Sequence, residues 1–154
     1  MQKIVTFLWF DGQADEAVKF YTSVFKDSKI ITIARYPDSV PGFGGKVLTA
    51  VFELNGQRFM ALDGGPQFKF NEAISLFINC DGQQEIDYFW NKLIADGGRE
   101  SQCGWLKDKF GLSWQVVPAN MGELMQPGDP AKGGRAVQAL MKMSKINIKE
   151  LADA

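Results

Sequence analysis

The apolar run Leu112-Ser113-Trp114-Gln115-Val116-Val117 contains one amide, Gln115, where burial and alternation favour an aliphatic side chain. A buried amide must find hydrogen-bond partners. Gln115 therefore reads either as a polar anchor for a ligand or water, or as a core residue satisfied by backbone. The chain contains no histidine, which removes the commonest transition-metal ligand and the usual proton shuttle near neutral pH. Acid–base catalysis would fall to Asp, Glu, Lys, Tyr or Cys, while a carboxylate site for an ion such as Mg²⁺ stays open. Cys103, just ahead of Gly104-Trp105, is a candidate pocket thiol. With no histidine to activate it, a small buried residue is the competing reading. Arg35 and Arg58 are flanked by strand-forming residues and suit either an anionic ligand or a cross-strand charge partner. Glu53, Asp63, Lys107, Asp108 and Lys109 read as solvated charges at turns and strand edges.

These residues are positioned by a unit that occurs twice. Residues 10–20 read FDGQADEAVKF and residues 80–90 read CDGQQEIDYFW. Asp11, Gly12 and Gln13 recur as Asp81, Gly82 and Gln83, an offset of 70 residues, and Phe20 recurs as Trp90. A repeat of this length suggests a duplicated half-domain. Neither copy buries its apolar face alone, so the expectation is a pair of units with a ligand groove between them. In the first copy the patterning predicts strands over 3–10, 28–36, 46–54 and 58–62 and a helix over 14–26. Asn55-Gly56 is a strong hairpin signal. In the second copy it predicts strands over 74–80, 99–103, 105–109 and 112–117 and a helix over 83–95. Val137, Leu140 and Met141 then fall at helical spacing, and a last short helix near the C-terminus can be capped by Asn147.

With 154 residues, 45% hydrophobic and 23% charged, one globular domain is expected. The net charge of −1, with no basic stripe, argues against a nucleic-acid partner. The apolar runs are too short to span a membrane, and the N-terminus lacks the pattern of a signal peptide. Two cysteines, Cys80 and Cys103, fit a reducing compartment, so a cytoplasmic protein is expected.

The segments LWFDGQADEAVKFYTSVF (8–25), FELNGQRFMALDGGPQFKFNEAISLFINCDGQQEID (52–87) and CGWLKDKFGLSWQVVP (103–118) sit in two predicted β-α-β-β-β units. So arranged, the chain resembles the vicinal oxygen chelate superfamily of glyoxalases, bleomycin-resistance proteins and dioxygenases. Within it the chain is similar to the PhnB-like branch labelled 3-demethylubiquinone-9 3-methyltransferase. The resemblance implies an α+β fold in which tandem βαβββ units form a glyoxalase-like curved mixed sheet. The repeats would occupy about 1–66 and 72–120 of a single domain, with a C-terminal helical extension over 129–154. It also implies a homodimer.

In that superfamily a divalent metal sits in a cup, held by His, Glu or Gln from the first and fourth strands of each unit. The resemblance carries those positions to Phe7, Met60, Ser75 and Gln115, within a residue in the first and fifth strands. Only Gln115 is a ligand of the usual kind, so neither metal nor cofactor is expected. The methyltransferase label implies S-adenosylmethionine, whose common site runs a glycine-rich loop from a strand into a helix. Gly42-Phe43-Gly44-Gly45 and Gly64-Gly65-Pro66 read instead as an inter-strand loop and a link between the units. Trp9, Phe77, Trp105 and Trp114 lie on strands that would line the cup and suit a flat apolar ligand such as a quinone. Aromatic core filling is the competing reading.

The function implied is therefore binding of a small apolar or aromatic molecule in a metal-free cup. Its expected lining is Phe7, Trp9, Met60, Ser75, Phe77, Cys103, Trp105 and Gln115. The alternatives are a metal-dependent enzyme of glyoxalase or dioxygenase type and a bleomycin-resistance-type protein that sequesters a drug.

Overall fold

Ala14, Ala17, Val18, Tyr21 and Val24 recur at the spacing that gives a helix one buried stripe. In the computed structural model, which describes residues 1–154, they lie on helix α1 (Ala14–Val24), between strands β1 (Thr6–Phe10) and β2 (Lys29–Arg35). β3 (Val47–Leu54) and β4 (Gln57–Asp63) follow, joined by Asn55 and Gly56 at φ of 49° and 80°. A type I′ hairpin needs positive φ at both of these positions, and Asn-Gly adopts it at little cost. The sheet order is β1-β4-β3-β2, with β1 parallel to β4 and the other neighbours antiparallel. Leu8, Phe10, Ala50, Phe52, Phe59 and Ala61 are buried on the face that α1 covers. Alternation sends Phe7, Trp9, Val51 and Met60 to the opposite, open face.

The chain divides into two compact units, Met1–Lys69 and Phe70–Ala154. The second repeats the order of the first: β5 (Ser75–Cys80), α2 (Gln83–Ile94), a 3₁₀ turn at Ala95–Gly97, β6 (Arg99–Glu100), β7 (Trp105–Lys107) and β8 (Ser113–Pro118). Its sheet order, β5-β8-β7-β6, again has a parallel outer pair. Tandem βαβββ units of an α+β fold are thus observed, with Asp11 and Asp81 at matching strand ends and Phe20 and Trp90 on the matching helices. β6 and β7 are shorter than the pattern predicts. Cys103 and Gly104 between them have φ of 58° and 86°, which no strand accommodates.

Two carboxylates expected in solvent are buried, each 2% exposed. Asp63 accepts hydrogen bonds from the backbone N–H of Ala14 and of Val47, both at 3.0 Å. It satisfies the first turn of α1, where Gln13 supplies no side-chain cap. Asp108 accepts from the N–H groups of Phe110 and Leu112 and from the Trp114 indole, closing the β7–β8 turn. Unpaired backbone donors drew both side chains inward. Glu53, expected in solvent, is half-buried on the inner strand β3 and pairs across strands with Lys29 and Arg58 at 3.7 and 3.6 Å.

Three helices follow β8: α3 (Met121–Met125), α4 (Pro130–Leu140) and α5 (Ile148–Ala152). α4 is capped by Asp129 with Pro130 in its first turn, and α5 by Asn147, whose side chain accepts from the Glu150 N–H. Val117, Met143, Ile146 and Leu151 form a buried cluster that ties this extension to β8. Backbone bonds from Cys103 to Met143 and from Gly104 to Ser144 add to the grip. The Gln83 amide completes it, donating to the Ile146 carbonyl and accepting from the Ile148 N–H. No helix is long and apolar enough to cross a membrane.

Candidate functional site

In the first unit the pairing register places Phe7 opposite Met60, Met60 opposite Val51 and Val51 opposite Thr32, one row across the open face. Phe7 is 45% exposed. Trp9 lies on the same face but holds the segment that leaves β4. Its indole donates to the Gly65 carbonyl at 2.9 Å, and its ring meets Phe68 edge-on at 4.9 Å. A Cβ on Gly64 would lie 2.3 Å from that ring, so only glycine allows the approach.

The matching row in the second unit is Phe77, Gln115 and Trp105. Phe77 is 52% exposed. The residue that faces Gln115 across the parallel ladder is Phe77, not Ser75, which lies opposite Ser113 on the same face. Ser75 nevertheless reaches the amide, its hydroxyl accepting from Gln115 Nε2 at 2.9 Å. That bond fixes the orientation of Gln115, and no group of the chain donates to its Oε1.

Two expected participants lie elsewhere. Trp114 is one residue out of phase with Gln115, so alternation sends it into the core, with its indole bonded to Asp108 at 2.9 Å. Cys103 sits on the turn before β7, under the C-terminal extension, with its thiol 3.6 Å from the Leu140 carbonyl. Cys80 is buried, and desolvation, helped by Glu85, pushes its thiol up to about 12. Arg35 grips Asp15 with both terminal nitrogens at 2.7 and 2.9 Å, and that contact holds the Asp15 carboxyl below its ordinary range. Arg58 is paired with Glu53. Both arginines are thus cross-strand or surface charge partners.

A second row on the open face of the second sheet was not singled out by the sequence reading. The register sets Arg99 opposite Lys107, Lys107 opposite Ser113 and Ser113 opposite Ser75. Arg99, Lys107 and Ser113, with Glu72, Glu100 and Trp105, line a groove of about 210 Å³. Lys107 is paired with Glu72. Ser113 is 1% exposed and its hydroxyl has no hydrogen-bond partner, an arrangement that costs about 1–3 kcal/mol. β6 and β7 are too short for their facing to be read from periodicity.

The residues at the inherited metal positions do not fit a divalent ion. They offer an aromatic ring, a thioether, a hydroxyl and an amide, the last two bonded to each other. No three His, Cys, Asp or Glu residues gather elsewhere in a metal-binding group. The glycine clusters do not fit S-adenosylmethionine either. Gly42 to Gly45 turn between β2 and β3, Gly64 packs under Trp9, and the α1 N-terminus is satisfied by the Asp63 carboxylate. No methyl-transfer step follows from these residues.

A family model described as 3-demethylubiquinone-9 3-methyltransferase matches residues 2–117. Among solved structures, a Bacillus cereus PhnB protein, provisionally described as a 3-demethylubiquinone-9 3-methyltransferase, is 43% identical. It aligns over 77% of this chain and 100% of its own, with a TM-score of 0.72. Protein PA1353 from Pseudomonas aeruginosa is 22% identical over 74% of this chain and 95% of its own, with a TM-score of 0.60. The fosfomycin resistance protein FosX from Listeria monocytogenes is 14% identical over 79% of this chain and 94% of its own, with a TM-score of 0.55. The last two likenesses are of fold alone. No curated protein matches the chain.

Proposed function

The chain belongs to the 3-demethylubiquinone-9 3-methyltransferase family of PhnB-like, glyoxalase-fold proteins, and from that premise we propose that it binds a small apolar or aromatic molecule without using a metal. The observation that carries this reading is the Phe77–Gln115–Trp105 row. An oriented amide with a free acceptor lies between an aromatic ring 52% exposed and a half-buried indole. Exposed apolar groups beside a few fixed polar ones are the usual make-up of a small-molecule site. Phe7 and Met60 give the open face of the first sheet the same apolar character.

The test is substitution of Gln115 by Leu, with binding of a small quinone such as 1,4-naphthoquinone followed by tryptophan fluorescence. Binding should be lost while the melting temperature moves by no more than about 4 °C, since one half-buried hydrogen bond is removed. Binding intact beside a large loss of stability would make Gln115 a structural residue. Elemental analysis showing about one metal ion per purified chain would overturn the metal-free part of the reading.

The same reading includes a homodimer in the cytoplasm. β2 is an edge strand exposed along most of its length, with Ile30 and Ile31 38% and 36% exposed. Such an edge invites pairing. The free thiols of Cys80 and Cys103 suit a reducing compartment.

A further inference from the structure

We propose that the groove at the β6–β7 side of the second sheet is an oxyanion site, taking the carboxylate or phosphate of a small acid between Arg99, Lys107 and the Ser113 hydroxyl. The inference rests on the reading that this open face receives a small ligand, and it narrows that ligand to acids. Like charges directly opposite on neighbouring strands repel, yet Arg99 and Lys107 are register partners. Glu72 neutralises Lys107, while Arg99 makes no ion pair. Glu100 also lines the groove, but its carboxylate accepts from the Trp90 indole at 2.8 Å and makes no ion pair with Arg99. Arg99 is therefore the cation of the groove that no carboxylate of the chain engages.

Ser113 supplies the independent sign of a ligand. Its hydroxyl is buried at the end of this cationic row and has no partner, and buried polar groups without partners are rare enough to need a reason. A water there would satisfy the hydroxyl but leave Arg99 without an anionic partner. An oxyanion answers both, taking a hydrogen bond from the hydroxyl and charge-assisted bonds from the guanidinium. Trp105 also lines the groove and is the register partner of Gln115, so it offers an acid's body an apolar neighbour next to the Phe77 row. The volume of about 210 Å³ is below that of drug-sized sites and suits a small acid.

Titration calorimetry on the full chain with benzoate, its neutral isostere benzamide, and inorganic phosphate tests the site. Benzoate should bind about tenfold more tightly than benzamide, with an affinity that falls as salt is added. Arg99→Gln and Ser113→Ala should each weaken benzoate about five- to tenfold. Neither should lower the melting temperature, since neither side chain has a partner within the chain. Displacement of benzoate by phosphate would identify a phosphate-accepting site, and its failure to compete a carboxylate-selective one; both keep the assignment. Equal binding of benzamide and benzoate would overturn the acid assignment and leave the small-molecule function standing. Benzoate binding that survives both substitutions but is lost in Gln115→Leu would place the ligand in the neighbouring row and likewise overturn it. No binding of benzoate or phosphate at about 10 mM would remove the site. Benzoate held through Arg99 and Ser113 but indifferent to Gln115→Leu would keep this inference and sink the Gln115 reading.

Discussion

Asp63 joins α1, β3 and β4 through one carboxylate, with the Ala14 N–H on one oxygen and the Val47 N–H on the other. Replacing it with Ala leaves two buried donors unpaired and should cost about 2–4 kcal/mol in urea unfolding. A cost under about 0.5 kcal/mol would mean that water takes over the role. Asp63→Asn should also destabilise, since its amide presents N–H groups where one donor already points. Cys80 makes the opposite kind of statement. Burial first, and Glu85 second, lift its thiol from 9.0 to about 12. The folded chain therefore holds a proton that the unfolded chain releases. Its contribution to stability is complete below about pH 9 and disappears as pH rises through about 12. The urea midpoint should fall between pH 9 and 11, less steeply in Cys80→Ala. Disulfide-exchange labelling near pH 8 should modify at most one thiol, Cys103, before unfolding; two reacting thiols in the native protein would contradict this burial.

At the scale of elements, the residues around Gln83 control how the C-terminal extension is held. Gln83 donates to Asp87 at 3.0 Å as well as to Ile146, and Asp87 pairs with Lys145 at 2.9 Å. The Gln83 amide first, and Lys145 next, hold the Asp87 carboxyl below its ordinary range. A depressed carboxylate stabilises above its unfolded value, about 4, and the contribution is lost as pH falls below it. Hydrogen exchange at residues 146–148, corrected for intrinsic rate, should speed up as pH falls from about 5 to about 2.5. Gln83→Ala should produce the same change at neutral pH, and an unchanged rate in that variant would show that the apolar cluster holds the extension alone. The sequence displayed the long elements well: α1, α2, the Asn55-Gly56 hairpin and the Asn147 cap carry strong local signals. α3 did not show, because five residues, Met121–Met125, are too few to establish a period. The burial of Asp63 and Asp108 did not show either, since their partners include donors on other elements or across a turn.

For the whole molecule, an exposed β2 edge bearing Ile30 and Ile31 leads to the expectation of a dimer. Light scattering behind size exclusion should give twice the chain mass, and Ile31→Lys should reduce it to one. A wild-type monomer at about 100 μM would remove that expectation. The candidate site was only partly legible. Gln115 stands out from its strand in the sequence alone, whereas the Arg99–Lys107–Ser113 row exists only once the register of two very short strands is known.

The duplicated glutamines carry a longer consequence. Gln83 clasps the C-terminal extension through two backbone groups, but Gln13, its counterpart in the first copy, makes no side-chain hydrogen bond. The matched family model also ends at residue 117, before α3 begins. The symmetry of the two units is therefore broken at this residue pair, by a partner present on one side only. The halves are no longer interchangeable parts: a chimera built from two first units would keep its sheet order yet give the tail nothing to hold. Replacing Gln13 removes no side-chain hydrogen bond, while replacing Gln83 loosens a segment more than sixty residues away.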